Sequence, residues 1–133
     1  MSLAVIDASV LTTFYAADDP RRAAVLARLA VGDALFAPAH LDAEVVSALR
    51  RLAQHSPALW TTVPVALRHL AGFPIRRMPL APLLQRMWQL RDNITAYNAA
   101  YVALAERLDA RLVTSDSELA ASTGPLCVFD VIT

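Results

Sequence analysis

Three short runs, "LAVI" (3–6), "ALFAP" (34–38) and "RLVT" (111–114), are mostly apolar, and each gives way to a stretch with helical spacing. Runs of this length are too short for independent helices. Their lack of apolar–polar alternation fits strands buried on both faces. Short buried strands separated by helices imply a parallel arrangement, because a parallel neighbour is reached only through a crossover. The fold class is therefore read as α/β, a mainly parallel central sheet of four to five short strands flanked by helices.

The intervening segments fill in the helices. "SVLTTFYAA" and, after Pro20, "RRAAVLARLA" read as helical, with Gly32 ending the second. "AHLDAEVVSALRRLAQH" (39–55) carries a stripe of Leu41, Val45, Ala48, Leu49 and Leu52. Pro57 opens a helix expected to reach Gly72, with Pro64 as a point of kinking or division. "IRRMPL" (75–80) is a candidate strand, "PLLQRMWQLR" (82–91) a helix, and another helix follows Thr95. A short helix is expected from Ser115, and "LCVFDV" (126–131) closes the sheet. The 133 residues hold no repeat, low-complexity tract or Gly/Ser linker, so a single domain over 1–133 is expected.

Composition removes several chemistries. Twelve basic and twelve acidic residues cancel, so no overall positive field marks a nucleic-acid binder. All twelve cations are arginine, which excludes a Walker phosphate loop and Schiff-base catalysis, both of which require lysine. Cys127 is the sole cysteine and is expected to be a buried thiol; His40, His55 and His69 lack zinc-site spacing. No apolar stretch is long enough to span a bilayer, and Asp7 interrupts the N-terminal run before a signal sequence forms. A reducing cytoplasmic setting is the expectation.

Attention then falls on the acids. In open α/β sheets the functional crevice lies beyond the carboxyl ends of the strands. Asp7 directly follows "LAVI", and Asp116 follows "RLVT" by two residues. Either would also serve as a helix N-cap. "SDSE" (115–118) has capping-box form, with Ser115 and Glu118 as the reciprocal pair, which would leave Asp116 free. Glu44 and Asp42 occupy opposite borders of the stripe in 39–55, and spacing does not choose between them. Asn98 lies three residues past Thr95, a natural N-cap, on a helix whose face of Tyr97, Tyr101, Leu104 and Leu108 and many alanines imply burial on most sides.

The segments "VIDASVL", "LDAEVVSALRRL" and "RMWQLRDNITAYNAAYVALAERLDARLVTSD" (86–116) together resemble the PIN-domain ribonucleases, specifically the VapC-like toxins of prokaryotic type II toxin–antitoxin pairs. The resemblance runs from residue 5 to the final strand and implies a single PIN-like domain. It places the family's acidic cluster on Asp7, Glu44, position 98 and Asp116, choosing Glu44 over Asp42, with Ser9 and Thr114 in supporting positions. At position 98 the family has aspartate and this chain has Asn98.

The resemblance further implies cleavage of RNA phosphodiesters with Mg²⁺, or Mn²⁺ in its place. Asp7, Asn98 and Asp116 would be metal ligands, and Glu44 would bind metal or activate water. It implies a VapB-like antitoxin that occludes the site, and a homodimer. Arg86 and Arg91, with Arg50 or Arg51, are expected phosphate contacts. Asn98 reads as an engineered disarming change, a natural weakening, or the mark of a protein used only for binding. A phosphatase or receiver-like domain is disfavoured, because Ser9 stands where such phosphatases need a second aspartate and the lysine both classes use is missing. The remaining alternative is a catalytically inactive PIN-like module that binds RNA or protein.

Overall fold

The computed structural model describes residues 2–133. In chain order it contains β1 (Leu3–Ile6), α1 (Ala8–Tyr15), α2 (Arg22–Leu29), β2 (Ala34–Pro38), α3 (Leu41–Ala53), α4 (Pro57–Ala71) and β3 (Ile75–Met78). A 3₁₀ turn (Ala81–Leu83) leads into α5 (Leu84–Gln89), followed by α6 (Ala96–Leu108), β4 (Arg111–Thr114), α7 (Ser117–Ala121) and β5 (Phe129–Val131). The five strands form one sheet in the order β3-β2-β1-β4-β5, and every neighbouring pair is parallel. The expected α/β architecture is thus present, with five strands. Among the described residues no helix is long and apolar enough to cross a membrane.

The strand order carries functional weight. From β1 the chain steps outward through β2 to β3, then returns to β4 on the other side of β1. Connections leaving β1 and β4 therefore diverge and leave a crevice between the carboxyl ends of those two strands. Val5 and Ile6 of β1 pair with Leu112 and Val113 of β4, all four wholly buried, which fixes the register at that crevice.

Helix α6 packs on β1, β2 and β4. Every residue from Ala99 to Ala105 is buried, and four of those seven are alanines, so the helix lies close against its neighbours. In α3, Leu41, Val45 and Leu49 are fully buried, one turn apart in succession. Ala53, one turn after Leu49, continues the buried line, while Leu52 is 43% exposed because it faces the cavity on the other side of the helix. Tyr97 is likewise 63% exposed, which corrects its placement on the apolar face of α6; that face begins only past the first turn.

Pro64 neither divides nor ends α4, which is one continuous run. Its ring lies on the exposed side, where solvent is available to the carbonyl four residues earlier. Cys127 is only partly buried, short of full enclosure.

Leu49 is wholly enclosed and anchors the half of α3 that follows Glu44. Leu49→Ala should destabilise the domain by about 2–5 kcal/mol through lost transfer energy and a residual cavity. Urea denaturation followed by circular dichroism measures it; a loss under about 1 kcal/mol would contradict the packing described.

Candidate active site

Asp7 is the first residue beyond β1 and the N-cap of α1, taking the Val10 N–H at 3.4 Å. Its own N–H reaches across to the Val113 carbonyl of β4 at 3.2 Å. Two hydroxyls complete its surroundings: Ser9 donates to Oδ1 and Thr114 to Oδ2. Each hydroxyl in turn accepts a backbone N–H from the loop after β4, Ser115 to Ser9 at 3.1 Å and Asp116 to Thr114 at 3.0 Å. Each hydroxyl thus links the carboxylate to the loop by donating to one and accepting from the other.

The carboxyl of Asp7 is only 4% exposed. Burial pushes its pKa up to about 6, against the pull of the Ser9, Thr114 and Val10 hydrogen bonds, and the nearby negative charge of Asp116 adds to the rise. A cation placed beside it would reverse that balance.

Glu44 enters from α3. Tyr101 of α6 donates its hydroxyl to Oε1 at 2.7 Å, and Nε2 of His40 lies 3.0 Å from the same oxygen. Burial opposes its ionisation, but the hydrogen bonds from His40 and Tyr101 and the charge of Arg51 prevail and hold the carboxyl below its usual range. The Tyr101 hydroxyl is pushed far up by its own burial and by Glu44, so it stays a neutral donor. Asp42 is engaged elsewhere. Its two oxygens take Nε and Nη2 of Arg77 at 3.1 and 3.0 Å, and Arg77 also binds the carbonyls of Leu70, Phe73 and Ile75.

Asn98 lies in the first turn of α6, placed by the Thr95 N-cap, whose hydroxyl accepts the Asn98 N–H at 3.2 Å. Asp116 is the N-cap of α7, with Oδ1 accepting from Leu119 N at 3.1 Å. This corrects the capping-box reading of Ser115 and Glu118 and the expected helix start. The N–H of Ser115 is committed to Ser9, so the turn begins one residue later.

Asp7, Glu44, Asn98 and Asp116 line one cavity of about 500 Å³, together with Ser9, Tyr101 and Ser115. The hydroxyl of Thr114 reaches the cluster from beneath, through Asp7. The acids surround this space without closing on a point. Among the described residues, no three Asp, Glu, His or Cys side chains stand close enough to hold a metal ion as they are. Position 98 carries an amide, and an oxygen of Glu44 is held by Tyr101 and His40. The donors are nonetheless hard oxygens, the kind that suit Mg²⁺ or Mn²⁺ bound through one or two carboxylates and retained waters.

The expected cations divide. Arg51 lines the cavity with Glu44, and Arg21, bound by Asp19, lines it from the loop before α2. Arg91 borders an adjoining groove that also contains Asn98 and Asp116. Arg86 does not reach the acids, contrary to expectation. Glu106 holds it at 2.7 and 3.1 Å, and it also donates to the Gly124 carbonyl at 3.0 Å, tying α5 to α6 and the loop before β5. The sequence reading missed His40, Tyr101, Asp19 and Arg21. His40 had a usable signal, standing four residues before Glu44 and so one turn away on the same face.

The PIN domain family model matches residues 4–123. Ribonuclease VapC3 of Mycobacterium tuberculosis is 41% identical over 116 residues, covering 87% of this chain and 84% of the relative. Ribonuclease VapC12 of the same organism is 40% identical, covering 90% and 92% respectively. Among solved structures, M. tuberculosis VapC20, described as a sarcin–ricin loop cleaving toxin, matches with a TM-score of 0.63 at 15% identity over 82% of this chain and 86% of that one. VapBC2 of Rickettsia felis bound to a promoter DNA fragment matches with a TM-score of 0.67 at 12% identity over 98% and 99%. At those identities the two structures speak for the fold alone. With the strand order, the family match and relatives of this identity agreeing over nearly the whole length, the chain belongs to the PIN domain family, among its VapC ribonucleases.

Proposed function

We propose that this chain is the endoribonuclease toxin of a VapBC-type toxin–antitoxin pair, cutting RNA phosphodiesters with Mg²⁺ or Mn²⁺ in the acid-lined cavity, and that Asn98 weakens it. The observation carrying this reading is the buried carboxylate of Asp7, held by Ser9 and Thr114 at the β1–β4 crevice and opening on the same cavity as Glu44, Asn98 and Asp116.

Asp7, Asp116 and the amide oxygen of Asn98 would hold the ion. Bound there, a divalent cation supplies charge stabilisation for the phosphate oxygens and a water of lowered pKa. Glu44 stays ionised beside them, fixed by Tyr101 and His40, and is placed to take a proton from the attacking water. Arg51 and Arg91 offer positive charge on either side of the acids for the flanking phosphates. A VapB-like antitoxin is the proposed partner, and a homodimer the proposed assembly. Exposed apolar side chains such as Trp60 and Val65 supply surface for both.

At position 98 the amide keeps one oxygen donor, replaces the other with an NH₂ group and removes a negative charge. A second reading, a PIN-like module that binds RNA or protein without cutting, draws on that change and on the absence of a closed three-acid cluster among the described residues. The two readings separate in one assay. Asn98→Asp should raise the rate of RNA cleavage in Mg²⁺ or Mn²⁺ by roughly 10- to 100-fold, the scale on which altered metal-site groups act. No cleavage by either form favours the binding module, and equal rates show the amide to be inconsequential.

Stability gives an independent check. A carboxyl whose folded pKa is raised favours the folded state most below its unfolded value, and that contribution is lost as pH rises through about 6. In EDTA at pH 7.5, Asp7→Asn should therefore raise the unfolding free energy by an amount on the order of 1–3 kcal/mol, and the melting temperature with it, while abolishing cleavage. A lower melting temperature would show that the hydroxyl hydrogen bond lost to the amide NH₂ outweighs the relief of the buried charge. For Arg91→Ala, the slope of log K against log salt in RNA binding should fall by about one. An unchanged slope would remove Arg91 from the phosphate contacts.

A further inference from the structure

We propose that Trp88, with Arg91 stacked on it, is a nucleobase platform at the edge of the groove that adjoins the acid pocket, taking one unpaired base of the RNA that flanks the cleaved phosphate. The proposal rests on the ribonuclease reading for its ligand, and it adds a subsite that recognises a base where the acids recognise only a phosphate.

Trp88 lies on α5 with 68% of its surface exposed. The guanidinium of Arg91 sits 4.4 Å from the indole centroid, and its Nη1 donates to the Trp88 carbonyl at 2.9 Å. This pairing fixes both planar groups relative to one another. No carboxylate pairs with Arg91 among the described residues, whereas Arg86, two residues before Trp88, is neutralised by Glu106. Arg91 thus keeps its charge for a ligand while the indole keeps its contact area.

Position makes the pair useful. The groove that holds Arg91 has a volume of about 450 Å³ and is bordered by Asn98 and Asp116, the same two residues that line the acid cavity. Asp92 and Glu118 line the groove as well and Trp88 does not, so a strand passing from the acids over Asn98 and Asp116 meets positive charge at Arg91 and reaches the indole through the guanidinium stacked on it. An aromatic face beside a free arginine offers what a flanking nucleotide presents, a π surface and a phosphate. Trp60 is similarly exposed, at 62%, but among the described residues no guanidinium covers its ring. The rival occupant of the Trp88 surface is a protein, because Leu84, one turn earlier on α5, is 56% exposed. Continuity with the acid cavity and the unpaired cation favour the base.

The chain contains two tryptophans, so Trp60→Phe leaves Trp88 as the sole indole. That variant is titrated in Mg²⁺ with a short oligoadenylate and with an abasic oligomer of equal length and charge, the readings being taken only while a gel shows both strands intact. The platform predicts strong quenching of Trp88 by adenine and little by the abasic strand, with uracil between them. In the Asn98→Asp background, Trp88→Ala should raise KM by roughly five- to a hundredfold with kcat nearly unchanged, and Trp88→Phe should recover much of the loss. Equal quenching by the adenine and abasic strands, or an unchanged KM in Trp88→Ala, overturns the platform. So does a Trp88→Ala variant that loses association with a second copy or an antitoxin while its response to RNA is unaltered. Quenching by adenine without any cleavage upholds the platform while the nuclease reading falls; cleavage with a silent Trp88 does the reverse.

Discussion

Two hydroxyl groups hold the centre of this molecule together. Ser9 and Thr114 each donate to Asp7 and each accept a backbone N–H from the loop that follows β4. The carboxylate is thereby tied to both strands that border the crevice, and the loop bearing Asp116 is tied to the carboxylate. Without those bonds, a buried acid would face the full desolvation cost of its charge with little to offset it. With them, the acid is held in a strained electrostatic state, its pKa well above the ordinary aspartate value. The fold supplies the frame, and the frame keeps a charge where it is not intrinsically welcome.

That arrangement explains why the rest of the site is spread over so many elements. Asp7 comes from the end of β1, Glu44 from α3, Asn98 from α6 and Asp116 from the start of α7. Each is set by an ordinary local device: two N-caps, a hydroxyl cap at Thr95, and a tyrosine–histidine clamp on Glu44. Capping and lining the cavity are therefore not rival roles for Asp7 and Asp116. Each does both, because a helix start at a strand's carboxyl end directs its cap toward the crevice.

Much of this was legible in the residues. Buried strands announce themselves by apolar runs, and the helices between them by spacing, so the parallel sheet followed from local pattern. Most of the failures share a different cause, a partner distant in the chain. Asp42 and Glu44 are equivalent by periodicity, and only Arg77, thirty-five positions beyond Asp42, removes Asp42 from the site. Arg86 looks like a phosphate contact until Glu106 claims it. Tyr97 and Leu52 fit an apolar stripe by spacing, yet Tyr97 stands in the first turn of α6 ahead of its buried run, and Leu52 faces the cavity while Ala53 continues the buried line of α3. Ser115 and Glu118 have capping-box form, but the Ser115 N–H is used by Ser9. Local rules describe what a segment prefers, and long-range partners decide which preference survives.

Helix α6 has a further consequence. Its first turn is fixed by Thr95 and its body by the unbroken burial of Ala99–Ala105, so the side chain at position 98 contributes little to where the helix lies. Exchange of acid for amide there leaves the scaffold almost untouched, and in the genetic code it takes a single nucleotide. Potency and architecture are thus written in separate places. On the proposed nuclease reading, activity at position 98 is adjustable by one reversible step that leaves folding alone.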